Sequence, residues 1–275
     1  MNPVEIRWGS SPIILGLPHA GTDVPSGIAA RLNADGARLR DTDWHIDRLY
    51  EGLLPNLTTV RATFHRYVLD ANRDPRGVSL YPGQNTTGLI PETDFDGEPI
   101  WHASAGPTEE DVAERLARFH APYHAALAAE IARVKALHGV VILYDCHSIR
   151  SRIPFLFDGV LPDLNVGTAG GATCDPRVEA LVTAACRAEE ASYTTILNGR
   201  FRGGWTTRHY GRPADGVHAI QMEIAQSAYL ATEHAPFAYD DGRAERLRAL
   251  LATILSGLET LAPTLAAPLA QGPVR

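Results

Sequence analysis

The chain is poor in cysteine: three in 275 residues, Cys146, Cys174 and Cys186, an odd number that fits no disulfide framework and no metal spacing. Each reads as a small buried residue. No stretch approaches the roughly 18 consecutive apolar residues of a membrane span. The opening Met1-Asn2-Pro3-Val4-Glu5-Ile6-Arg7 has no apolar core of a secretory signal, so the expectation is a cytoplasmic protein without membrane contact. Positive charge is also short. Against 32 Asp+Glu stand 25 Lys+Arg, giving a net charge of −7 and a pI near 5.9, which argues against a nucleic-acid partner. Any cations that bind an anionic ligand must therefore be local.

What is present is ordinary core material and an unusual supply of imidazole. Hydrophobic residues make up 45% and charged ones 21%, the balance of a well-packed domain. Apolar runs bounded by turn residues alternate with helical periodicities, the pattern of an α/β protein. The expected architecture is one domain over residues 1–275, with a central mixed, largely parallel sheet flanked by helices. Strands are predicted at 12–17, 57–63, 66–71, 140–146, 193–198 and 217–225. Helices are predicted over 42–54, from Thr108 to about Leu137 with a kink at Pro122, after Asp175-Pro176, and over 241–261. Residues 73–107 hold five prolines and five glycines with little periodicity; a loop of that length in a compact domain is expected to serve the site. Gly167-Thr168-Ala169-Gly170-Gly171 reads as a flexible connection.

In open α/β sheets, reacting groups gather outside the carboxyl ends of the strands. Here those ends carry His19, the Asn72-Arg73 turn, His147 and Glu223. Asp145 and His147 stand two apart and so share one face of a strand. Two histidines and a carboxylate make a three-ligand site for one divalent metal ion, zinc being the natural choice, with a position left open for water. The carboxylate can come from Asp41-Thr42-Asp43-Trp44-His45-Ile46-Asp47, although acids at a helix start are often plain caps. Asp41 reads as that cap; Asp43 is favoured as ligand, with Asp47 in reserve. Glu223 lies inside an apolar strand, where a carboxylate is costly unless paired or functional. It suits a general base that takes a proton from water and returns it to a leaving amine. Arg73 and Arg208, beside glycine-bearing turns, suit a carboxylate ligand. His120 and His124 are spaced i, i+4 like a zincin pair, but Ala121 stands where that motif needs glutamate. They are expected to line a helix–sheet seam.

Taken in order, Pro18-His19-Ala20-Gly21, Asp41-Thr42-Asp43-Trp44, Leu69-Asp70-Ala71-Asn72-Arg73, Tyr123-His124, Asp145-Cys146-His147-Ser148, Asn198-Gly199-Arg200-Phe201-Arg202-Gly203-Gly204 and Gln221-Met222-Glu223-Ile224 resemble the N-formylglutamate amidohydrolases. The resemblance runs from about residue 11 to 230. That family resembles the zinc carboxypeptidases and aspartoacylases in turn, which implies a zinc-exopeptidase-like fold. It further implies His19 and His147 as metal ligands, Glu223 as catalytic base, and Asn72 and Arg73 as the pair that engages a substrate carboxylate or the developing oxyanion. Two departures stand out. Thr22 occupies the position where zinc carboxypeptidases carry their acidic ligand, which brings the adjacent Asp23 into consideration beside Asp43. Ala71 replaces a larger aliphatic residue.

The activity implied is hydrolysis of N-formyl-L-glutamate to formate and L-glutamate, the closing step of one histidine degradation route. The ligand would be a small dicarboxylate, and the protein a monomer or small homo-oligomer. Three rivals are weighed against it. They are the same chemistry on another N-acyl amino acid, a non-catalytic carboxylate-binding or metal-binding module, and a metal-free serine hydrolase built on Ser148. No G-x-S-x-G elbow surrounds that serine.

Overall fold

The computed structural model describes residues 1–266. Seven strands, β1 (Val4–Arg7), β2 (Ile13–Leu17), β3 (Thr58–Ala62), β4 (Val141–Ile149), β5 (Leu164–Gly167), β6 (Thr195–Leu197) and β7 (Val217–Ala225), form one sheet in the order β1-β3-β2-β4-β7-β5-β6. β3, β2, β4 and β7 run parallel; β1 and β5 are antiparallel to β3 and β7, and β6 is parallel to β5. The mixed, largely parallel sheet is thus as expected. Every residue of β4 and β7 is buried, as a parallel strand covered on both faces requires.

The helices are α1 (Ser26–Ala29), α2 (Ile46–Tyr50), α3 (Glu109–Arg115), α4 (Ala121–His138), α5 (Pro176–Ala188), α6 (Trp205–Tyr210) and α7 (Asp241–Leu261). Their starts are chemically marked. Thr108 and Asp111 form a capping box for α3, Asp175 caps α5 ahead of Pro176, and Asp240 caps α7. One apolar layer joins Ile13, Leu15 and Met222 to Leu251 and Ile254 of α7; the other joins Ile14, Val60 and Leu143 to Leu127 and Ile131 of α4.

At five places the structure refines the sequence expectation, and three of these are corrections. Residues 66–71 are buried turn and coil, not strand: Val68 N–H donates to His65 O and Asp70 N–H to Leu89 O, while Val68 O accepts from the buried Arg115. Backbone groups satisfied this way need no ladder partner, and the bend carries Arg66 and Asp70 into the site. The helix predicted at 42–54 is confined to Ile46–Tyr50, because His45 adopts a left-handed backbone (φ 60°) and the acids before it turn inward. The irregularity expected at Pro122 takes the form of a π-turn over Leu116–His120 immediately before α4, one way a helix absorbs a missing donor. Gly167–Gly171 is a tied turn: Ala169 N–H donates to Arg202 O at 2.6 Å, and a Cβ on Gly167 would lie 2.5 Å from Gly203 N. Finally, β1 and β5 were not anticipated; each has only four residues.

Between β2, which continues to β3 on one side, and β4 on the other, the strand order reverses. Such a switch point opens a crevice at the carboxyl edge of the sheet. His19 follows the end of β2, and His147 lies near the end of β4.

Candidate active site

At that switch point three donor atoms converge. His19 Nδ1 is 3.2 Å from His147 Nδ1, His147 Nδ1 is 3.3 Å from Asp43 Oδ2, and His19 Nδ1 is 3.9 Å from Asp43 Oδ2. Ligands sharing one tetrahedral divalent ion stand about 3.4 Å apart, given metal–donor bonds of about 2.0–2.1 Å. The triangle therefore has the dimensions of a ligand set, and all three residues are buried.

The outer nitrogens are held by carboxylates. His19 Nε2 is 2.6 Å from Asp70 Oδ1, and His147 Nε2 is 3.2 Å from Asp145 Oδ1 and 3.1 Å from Asn72 Nδ2. With its Nε2 proton directed to Asp70 or Asp145, each histidine has its Nδ1 lone pair for a cation at the centre of the triangle, the usual support of a metal-binding histidine. The Asn72 amide is then a neighbour of His147 rather than its hydrogen-bond partner. Asp43 accepts from Arg66 Nη2 at 2.8 Å on one oxygen and from Ser148 N–H at 3.0 Å on the other.

The charge states mark where the site draws positive charge. Burial, aided by Arg66, pushes His19 down to about 4, so its imidazole is neutral. Asp43 is held below the usual carboxylate range: burial opposes ionisation, but Arg66 and the two imidazoles outweigh it. His147 lies well above the usual imidazole range, because Asp145, Asp43 and Glu223 together overcome the opposing effect of burial. The cluster thus favours a positive charge at this point, which a proton or a cation can supply.

Glu223 pairs across β4–β7 with His147, so both side chains leave adjacent parallel strands in the same direction. It accepts from Gln221 Nε2 at 3.1 Å. Burial lifts it to about 7; the His147 charge opposes that shift and the Asp43 charge adds to it. Together with His19 and His147, Glu223 lines a cleft of about 60 Å³ that also reaches Asn72, Arg73 and Arg200.

The candidates separate cleanly. His19, His147, Glu223, Asn72 and Arg73 line one cleft, and Asp43 meets the two histidines beside it. Arg208 does not line it; its Nε donates to Gly203 O at 2.9 Å and its guanidinium stands over the Tyr81 ring. Asp47 is half-buried, outside the cluster, and lies 3.8 Å from Arg61, and Asp23 is exposed. Asp41 is no helix cap: it accepts from Tyr67 OH and Phe95 N–H inside the protein. Ser148 Oγ is met by Tyr229 OH at 2.8 Å and Gln226 Nε2 at 3.4 Å, with no histidine to activate it. From the loop at 73–107, Arg73, Tyr81, Thr86, Thr87 and Phe95 line the cleft.

Sequence reasoning overlooked Arg66 and Asp70, which brace Asp43 and His19. The signal was available: two charged residues inside the apolar run Phe64–Ala71 need partners if buried. His120 and His124 do not face the sheet. Their Nε2 atoms meet Arg73 O at 3.2 Å and Ala71 O at 2.8 Å, bracketing Asn72, whose Oδ1 accepts from Thr206 N–H. Gly204 packs so closely there that a Cβ would lie 2.2 Å from Asn72 Nδ2.

Fold and cluster together define a class: an α/β protein with two histidines and a carboxylate converging at the switch point of its sheet, and a buried glutamate beside them. Comparison with known proteins gives the family. The sequence profile of the N-formylglutamate amidohydrolases matches residues 11–230, and the chain belongs to that family. It is 45% identical to an N-formylglutamate deformylase of Pseudomonas aeruginosa, and 41% identical to another of Pseudomonas putida. Both matches cover 93% of this chain and 95% of the relative. The crystal structure of an N-formylglutamate amidohydrolase from Ralstonia eutropha JMP134 superposes with a TM-score of 0.78 at 28% identity, over 96% of this chain and 99% of that one. Among the described residues, no helix is long and apolar enough to cross a membrane.

Proposed function

We propose that the protein is an amide-hydrolysing enzyme that cleaves N-formyl-L-glutamate to formate and L-glutamate, with one divalent metal ion, zinc by its donor set, held by His19, Asp43 and His147. The observation that carries this reading is the triangle of donor atoms, 3.2–3.9 Å on a side, with Glu223 beside it in the same cleft. The family membership and the names of its relatives supply the substrate. When bound, such an ion supplies Lewis acidity, polarising a carbonyl and acidifying water.

The protein's own residues do the rest. Glu223, ionised above about pH 7, accepts a proton from the attacking water. It then delivers that proton to the departing amine nitrogen, so that base and acid are one group. Asn72 and Arg73 lie close enough to the cluster to hold the α-carboxylate, which is three bonds from the formyl carbon. Arg66 and Asp70 keep Asp43 and His19 in place. The loop at 73–107 forms part of the cleft wall and limits entry of bulk water. Three buried free thiols fit a reducing, cytoplasmic setting.

Formate release from N-formyl-L-glutamate, measured before and after chelation and after restoring zinc, tests the proposal. Turnover should vanish with the metal and return with it. Undiminished turnover in chelated protein would refute the metal mechanism.

A further inference from the structure

Arginines inside this protein are, as a rule, spoken for by carboxylates. Arg66 meets Asp43, Arg115 meets Asp111, Arg150 meets Asp96, and Arg73, in the cleft wall, meets Asp70. The half-buried Arg208 and Arg248, away from the cleft, break the rule, and so does Arg200. It lines the cleft, half-buried, and among the described residues no carboxylate lies within 4 Å of it. Yet it is held in place: Nε donates to Leu156 O at 3.0 Å and Nη2 to Asn85 O at 2.7 Å, while the guanidinium lies 5.3 Å from the Tyr81 ring centre and 5.4 Å from that of Phe201. Nη1 has no hydrogen-bond partner among the described residues. The turn that presents it is equally fixed, with Asn198 in a left-handed conformation (φ 51°) and Gly199 packed against Ile196.

We propose that Arg200 is the receptor for the side-chain carboxylate of the substrate, and hence the residue that makes the enzyme select acidic over neutral N-formyl amino acids. This rests on the hydrolytic reading above and adds the substrate discrimination to it. The placement follows from bond counting. Arg73 is one residue removed from the cluster through Asp70, and Asn72 touches His147 directly; they suit the α-carboxylate. The γ-carboxylate of a glutamyl group lies two methylenes beyond the α-carbon and needs a cation one layer further out. Arg200, anchored to the loop carbonyls at Asn85 and Leu156, lines the same cleft without a hydrogen bond to the cluster, which suits that role. Burial, with the charge of Arg73 adding to it, pulls Arg200 below the usual arginine range. An incoming anion relieves both effects.

The test compares kcat/KM for N-formyl-L-glutamate and for its neutral isostere N-formyl-L-glutamine in wild type, Arg200→Met and Arg200→Lys. The wild type should prefer the acid, and Arg200→Met should shrink that ratio by about 100-fold, the size of a lost charge-assisted pair. Arg200→Lys should retain part of it, because charge survives while the planar fork is lost. An unchanged ratio in both variants, or no preference in wild type, would overturn the assignment. Should wild type release no formate from either compound, the hydrolytic reading fails. Calorimetric binding of L-glutamate against L-glutamine to wild type and Arg200→Met then decides the role of Arg200: loss of the preference in the variant supports it, and no change overturns it.

Discussion

Two histidine pairs, both buried, sit on either side of the Ala71-Asn72-Arg73 turn and differ in what their outer nitrogens touch. His19 and His147 are 128 residues apart in sequence; each meets a carboxylate through Nε2, and their Nδ1 atoms come within 3.2 Å of one another. His120 and His124 are four apart on one helical stretch, the spacing of a familiar metal motif, yet their Nε2 atoms meet backbone carbonyls. A carboxylate partner strengthens an imidazole as a ligand and fixes its tautomer, whereas a carbonyl partner makes it a brace. Spacing alone would favour the second pair, but Ala121 stands where that motif needs glutamate, and the chemistry of the partners points to the first.

Sharpening that contrast begins with Glu223, which shares the cleft with the first pair. Glu223→Gln should keep its metal and lose on the order of 10³-fold in kcat, within the range of general acid–base effects. Because burial lifts Glu223 to about 7, the base becomes protonated as pH falls. Wild-type kcat/KM should therefore drop about tenfold per unit on the acid side, with the break at or below 7 once a cation lies nearby. The residual rate of Glu223→Gln should lack that limb. A limb that persists in the variant would move the base elsewhere.

The second pair should respond more gently. His124→Ala leaves the buried Ala71 carbonyl without its donor, so stability should fall by about 1–3 kcal/mol and kcat/KM by about tenfold as Asn72 loosens. His124→Gln, which can still donate, should recover much of both. Thermal unfolding and steady-state kinetics read this directly. An equal loss in His124→Gln would mean that the ring itself is required, and the brace account would fail.

Much of this was legible in the chain, and for identifiable reasons. His19, His147 and Glu223 could be found because continuous apolar strands end in residues that have no business in a core. The length of β4 and β7 made their registers secure. Asp43 could be favoured over Asp41 and Asp47, but all three read as acids at a helix start, and only three dimensions show Asp43 alone beside both histidines. The turn at 66–71 was misread as a strand because its apolar residues are buried on every side, and burial alone does not distinguish coil from ladder. β1 and β5 are too short to show a period. That Arg208 stands off the cleft while Arg200 lines it was not legible, because it depends on the path of the turn around the left-handed Asn198 rather than on charge or spacing.

The central claim concerns which pair holds the ion, and metal content decides it. Elemental analysis of purified, dialysed protein should find one divalent ion per chain in wild type and in the His120→Ala/His124→Ala double variant, and far less than one in His19→Ala, Asp43→Asn and His147→Ala. Retention of the ion by the latter three, or its loss from the double variant alone, would contradict the account.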